Sequence, residues 1–132
     1  TNMGKTPVMV QEYLPDAENG DKRIILLDGK PLGAIIRKAG PNDFRGNVDS
    51  GGKAFLAEIT EKEMDLCRQL EPVFKEQGIY FAGIDVIGHK LTEINLTSPT
   101  MLREISKESD TSLEKDMILW MENKVMEIRL KG

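Results

Sequence analysis

Ile79 to Ile87 (IYFAGIDVI), then Gly88-His89-Lys90, then Leu91 to Leu96 (LTEINL), form the stretch from which the architecture is read. Nine residues that are almost all apolar have the composition of a central strand, and the alternating segment after the turn has that of a strand with one wet face. Asp85 interrupts the apolar run. An ionised carboxylate is not buried in such surroundings without a cation or a hydrogen-bonded partner, so positive charge is expected beside it. Glu93 and Asn95 are two apart and point to one face of an extended strand, while Ile94 points to the other. A turn at Gly88-His89-Lys90 that opposes Ile87 to Leu91 sets Asp85 opposite Glu93. Two carboxylates and an amide on one sheet face suit magnesium, a hard cation that prefers oxygen. The same alternation also fits the solvated side of an edge hairpin.

Upstream, Pro7 to Leu14 (PVMVQEYL) reads as a short strand cut by Pro15, and Asp16 to Asp21 as turn chemistry. Lys22 to Leu27 is a strand leading into Asp28-Gly29, a strong hairpin signal, with Pro31 to Arg37 returning. From Lys38 to Lys53 runs a glycine-rich stretch without a hydrophobic period. Loops of that length without internal structure are uncommon and tend to be functional lids or disordered segments. Its Arg45-Gly46-Asn47 and Gly51-Gly52 could bring backbone N–H groups and a forked cation to an anion, or simply form a surface connection. Thr60-x-x-Glu63 is a capping box opening a helix to about Gln77, with Met64, Cys67, Leu70 and Phe74 at helical spacing and a bend at Pro72. A last helix is expected from Thr111-x-x-Glu114, with Leu113, Met117, Trp120, Met121, Val125 and Ile128 as one apolar stripe. The order indicates an α+β fold, an antiparallel β-sheet with helices packed on one face.

The 132 residues carry 18 basic and 22 acidic side chains, a formal net charge of −4, and 39% hydrophobic residues. That is the composition of one globular domain or a large piece of one. One cysteine, Cys67, excludes an intramolecular disulfide and points to a reducing, cytoplasmic setting. No apolar run approaches the roughly 18 residues of a membrane span. Neither membrane nor nucleic acid is expected as a partner, since there is no basic face with aromatic platforms. His89 in a turn has the character of a solvated side chain, and Cys67 that of a core filler.

Five motifs in order, Gln11-Glu12-Tyr13-Leu14-Pro15, Gly20-Asp21-Lys22-Arg23, Arg45-Gly46-Asn47 with Gly51-Gly52, Gly83 to Gly88, and Leu91 to Pro99, resemble the C-terminal part of bacterial glutathione synthetases, which are ATP-grasp ligases. The resemblance runs from about Val8 to Val125. It implies joining of γ-glutamylcysteine to glycine through an acyl phosphate, with ATP as co-substrate and Mg2+, or Mn2+, at the phosphates. By that resemblance Asp85, Glu93 and Asn95 are the metal ligands. Glu12, Tyr13 and Leu14 meet the adenine edge, and Asp21 reaches the ribose. Arg23 lies near the phosphates or the peptide substrate, and Arg45 with Gly51 and Gly52 covers the acyl phosphate. Ser98-Pro99-Thr100 and Arg103 resemble the segment beside the metals and the acceptor site. The segment before Arg37 is one residue shorter than the family pattern, so Arg37 and Lys38 receive no role. Residues 1–132 are expected to be the C-terminal ATP-grasp portion of a longer chain, inactive alone, with a homo-oligomer left open for the full-length protein. The family's N-terminal domain and first half of the grasp have no counterpart here. Two alternatives remain open: a glutamate-adding carboxylate–amine ligase, and a non-catalytic magnesium and nucleotide module.

Overall fold

A computed structural model describes residues 2–38 and 53–131. Five strands, β1 (Asp21–Leu27), β2 (Lys30–Lys38), β3 (Lys53–Ala57), β4 (Phe81–Ile87) and β5 (Lys90–Asn95), form one antiparallel sheet in the order β3-β2-β1-β4-β5. Three helices accompany it: α1 (Glu61–Glu76), α2 (Leu102–Glu108) and α3 (Leu113–Lys131). The apolar run around Asp85 is central, as its composition implies. β4 lies between β1 and β5, with Ile84 fully buried and Val86 nearly so.

The expected α+β class and antiparallel sheet are present, but the helices divide between two faces. Ile24, Leu26, Ala34, Ala82, Ile84 and Val86 pack with Cys67 and Phe74 of α1. Ile25 and Ile35, from the alternate positions, pack with Ile105 of α2 and Leu113 at the start of α3. The physical reason lies in β1: Ile24-Ile25-Leu26-Leu27 is buried on both sides of the strand, so both faces need a cover. Each of these aliphatic side chains contributes about 1.5–3 kcal/mol when fully removed from water.

Local chemistry sets the element ends. The Thr60 side chain accepts from the Glu63 N–H while the Glu63 carboxylate accepts from the Thr60 N–H, the expected capping box. Asp28-Gly29 links β1 and β2, with φ of 52° and 77° as a two-residue hairpin turn demands. The box expected at Thr111 does not form. Glu114 instead accepts from Ser106 Oγ at 2.6 Å, and the Leu113 N–H donates to that same oxygen, so α3 is stapled to α2.

Further departures have simple causes. Pro7 to Leu14 is not a strand, because it has no ladder partner among the described residues; Val8, Met9 and Val10 are 55%, 82% and 88% exposed. Strand β3 and helix α2 have no expectation before them, being only five and seven residues long. The α3 stripe splits: Leu113 is buried and Trp120 packs on Tyr80 with ring centroids 5.4 Å apart, but Met121, Val125 and Ile128 are exposed. None of the described helices is long and apolar enough to cross a membrane.

Candidate active site

One band of polar side chains crosses four strands on the face that α2 only partly covers. In β1, Asp21 and Arg23 are two apart and share that face; Asp21 is opposite Arg37 of β2, and Arg23 is opposite Asp85 of β4. Asp85 is opposite Glu93 of β5, and Asn95 is opposite Gly83. The hairpin route differs from the expected one. Ile87 pairs with Lys90 across a tight Gly88-His89 turn, and a register shift between Asp85 and Val86 then brings Glu93 opposite Asp85. That bulge decides the chemistry, since a one-residue slip would turn Glu93 to the other face.

The positive charge expected beside Asp85 is present twice. Arg23 Nε donates to Asp85 Oδ1 at 2.8 Å and Nη2 to Oδ2 at 2.7 Å, a forked pair. Arg37 Nη2 lies 3.0 Å from Asp85 Oδ2 and also donates to Asp21. Asp85, Arg23 and Arg37 are 3%, 7% and 6% exposed, so these are buried charges that hold only because they are paired. Arg23 Nη1 donates to Thr100 Oγ1 at 3.0 Å, tying the segment after β5 to the band. That segment lies flat on the sheet because Gly83 has no side chain: a Cβ there would come within 2.9 Å of Pro99 Cβ.

Burial alone would raise the Asp85 carboxyl, but the Arg23 hydrogen bonds and the charges of Arg37 and Arg23 outweigh it and hold it below its ordinary range. Asp21 goes the other way: burial pushes it up, Asp85 adds like-charge repulsion, and Arg37 compensates only in part. The hydrogen bonds from Arg23 to Asp85 raise the arginine further. Two polar atoms of the band, Asp21 Oδ1 and Arg37 Nε, are buried without a hydrogen-bond partner among the described residues.

Asn95 completes the set. Oriented by its neighbours, its amide nitrogen donates to Glu93 Oε1 at 3.2 Å and its oxygen accepts from Arg23 Nη2 at 3.1 Å. Among the described residues no group of three or more His, Cys, Asp or Glu side chains could hold a metal ion, so a cation here depends on the Asn95 amide. Asp85, Glu93 and Asn95 fit a hard cation in chemistry and in sharing one face, with Glu93 exposed to solvent. The other site residues lie apart. Glu12 and Tyr13 are exposed and Leu14 half-buried in the extended segment before a 3-10 turn, Pro15–Asn19. Arg45, Gly51 and Gly52 lie outside the described residues. Arg37, given no role by the sequence, joins the band from its outer strand β2, and hairpin pairing from Asp28-Gly29 misses it because a register shift between Ile25 and Leu26 moves it opposite Asp21.

A sheet of this topology is that of an ATP-grasp domain, the class defined by the family model that this chain matches. Its fold is shared with D-alanine–D-alanine ligase from Bacillus anthracis complexed with ATP, at a TM-score of 0.55 and 18% identity over 83% of this chain and 40% of that one. The family model described as prokaryotic glutathione synthetase, ATP-grasp domain, matches residues 1–110, and the chain belongs to that family. It is 50% identical over 121 residues to the glutathione synthetase of Thermosynechococcus vestitus, covering 92% of this chain and 38% of that one. With the glutathione synthetase of Agrobacterium fabrum it shares 50% identity over 105 residues, 80% of this chain and 33% of that one. The chain thus spans little more than a third of the length of these relatives.

Proposed function

We propose that this chain supplies the C-terminal catalytic half of an ATP- and magnesium-dependent ligase that joins γ-glutamylcysteine to glycine through an acyl phosphate. The observation that carries this reading is the band: oxygen donors Asp85, Glu93 and Asn95 beside the forks of Arg23 and Arg37 on a rigid sheet. Phosphoryl transfer needs positioning and charge neutralisation more than covalent chemistry, and this arrangement offers both. In this reading Asp85, Glu93 and Asn95 hold Mg2+, or Mn2+ in its stead. The bound metal screens and orients the triphosphate. Arg23 and Arg37 face the charge that spreads over the transferring oxygens as the substrate carboxylate attacks the γ-phosphorus and ADP leaves. Arg37 Nε and Asp21 Oδ1, without partners among the described residues, are a donor and an acceptor available to a polar ligand such as the nucleotide.

The remaining assignments follow the family resemblance. Glu12, Tyr13 and Leu14 meet the adenine edge, Asp21 the ribose, and Arg45 with Gly51 and Gly52 screens the acyl phosphate from water. The setting is cytoplasmic and the partners are small molecules, with self-association a property of the whole protein. The test is the initial rate of ADP release by the full-length protein against γ-glutamylcysteine, glycine and magnesium. Saturable dependence on all three supports the assignment. Turnover with glutamate in place of glycine would transfer the site to a glutamate-adding ligase, and no turnover with any acceptor would leave only a nucleotide module. Within that assay Arg45→Ala should lower kcat and kcat/KM alike, by about 10²–10³, because a covering arginine acts chiefly in the transition state.

A further inference from the structure

The band holds a feature that neither fold nor family assigns. Arg23 Nη2 lies 2.7 Å from Asp85 Oδ2 and 3.1 Å from the Asn95 oxygen, so one cationic nitrogen touches two of the three oxygens that a metal would need. Its Nε occupies the other Asp85 oxygen at 2.8 Å, and Arg37 adds a third N–H to the same carboxylate at 3.0 Å. A carboxylate has about four acceptor directions, and three are already filled by arginine N–H groups. We infer that the Arg23 fork is a built-in stand-in for the cation: its nitrogens take the oxygens that a metal would use, and it must be drawn off Asp85 before a metal can load.

What draws it off follows from charge. A guanidinium leaves a buried carboxylate only for another anion of comparable strength, and a polyphosphate oxygen offers the same forked geometry. The site is therefore a two-way exchange. The arginine passes from carboxylate to phosphate while the divalent ion passes to the carboxylate, so cation and anion load together. A divalent ion alone meets a plugged site. Coupling of this kind is reciprocal and typically amounts to about 5–150-fold in affinity. Thr100 sets the resting position, because its hydroxyl holds the third nitrogen of the fork, Nη1, at 3.0 Å.

The inference rests on the metal reading above, and the test separates the two. Mn2+ binding to the full-length protein is followed by loss of the free-ion EPR signal, without nucleotide. Arg23→Gln should bind Mn2+ about 5–150-fold more tightly than wild type, with Arg37 still present to neutralise Asp85. Glu93→Gln added to Arg23→Gln should cancel the gain. Thr100→Val, an exposed change with little effect on folding, should give a smaller gain in the same direction. For wild type, sulfate should tighten Mn2+ binding relative to chloride at equal ionic strength, and Arg23→Gln should abolish that effect. If neither Arg23→Gln nor Thr100→Val tightens Mn2+ binding, or if the gain survives Glu93→Gln, the stand-in role is overturned while the metal reading stands. If Glu93→Gln leaves the affinity for Mn2+ with ATP unchanged in an otherwise wild-type protein, the metal reading falls and takes this inference with it.

Discussion

Lys22 and Arg23 are adjacent in the chain and lie on opposite faces of β1, and the two faces treat their charges differently. Lys22 reaches the α1 side, where its Nζ meets Glu63 at 2.8 Å and the Glu58 carbonyl at 2.9 Å, while Glu63 also closes the capping box. The acid and the cation are both spent on holding α1 against the sheet. Across the strand, two arginines share two carboxylates, an amide bridges to a third, and two buried polar atoms have no partner among the described residues. A region whose hydrogen bonds close upon themselves is architecture. A region that is buried, charged and still short of partners is prepared for something else.

The largest test of that contrast is Asp85→Asn. It removes one of the two anionic ligands proposed for the metal and leaves two guanidinium groups facing a neutral amide, so ligation by the full-length protein should fall by about 10²–10³, with a raised magnesium requirement. Initial rates of ADP release at several magnesium concentrations check both. On the other face, Lys22→Met should leave kcat/KM unchanged but lower stability by about 1–3 kcal/mol in urea unfolding, since it strands the buried Glu63 carboxylate. Equal losses of activity for the two variants would erase the distinction.

A subtler pair uses pH. Burial would raise the Glu63 carboxyl, but its bonds to Lys22 and Thr60 hold it below the ordinary value. Its stabilisation is therefore present above the unfolded carboxyl range and lost as pH falls through the folded value. Asp21 is raised, so its ionised form is disfavoured in the fold at neutral pH. Glu63→Gln should then cost about 1–2 kcal/mol at pH 7, with the loss shrinking on acidification. Asp21→Asn should raise stability at pH 7, with the gain fading as pH falls through the raised folded value toward the ordinary carboxylate value. Thermal unfolding from pH 3 to 8 reads both signs. Smallest is the effect at Cys67: burial pushes its thiol up to about 11, so alkylation at pH 8 should be slow until the protein unfolds.

The sheet was legible where hydrophobic period and turn chemistry agree, as in β1, β2, β4 and α1. The Asp85–Glu93 juxtaposition was legible too, although the register that produces it combines a tighter turn with a bulge. What stayed hidden depends on contacts that local pattern does not carry. KAFLA at 53–57 is a strand because β2 offers it an edge, and PVMVQEYL is not one because the described residues offer none. Arg37 joined the site through a bulge that the Asp28-Gly29 turn does not announce. The stripe on α3 obeyed its helical period, but the sheet covers only part of it, leaving Met121, Val125 and Ile128 exposed.

The missing side chain at Gly83 fixes the separation between the sheet and the segment that crosses it. Pro99 rests where a Cβ would be, and that contact brings Thr100 down to the Arg23 fork. Positions 83 and 99 therefore cannot vary independently: any side chain at 83 must be matched by a smaller residue at 99, or the crossing segment lifts and the fork loses its rest. A gap one carbon atom deep thus sets how firmly a charged group 3.0 Å from Thr100 is held. Alanine at 83 would act on the arginine without touching any polar atom, and pairing it with glycine at 99 should restore the rest position.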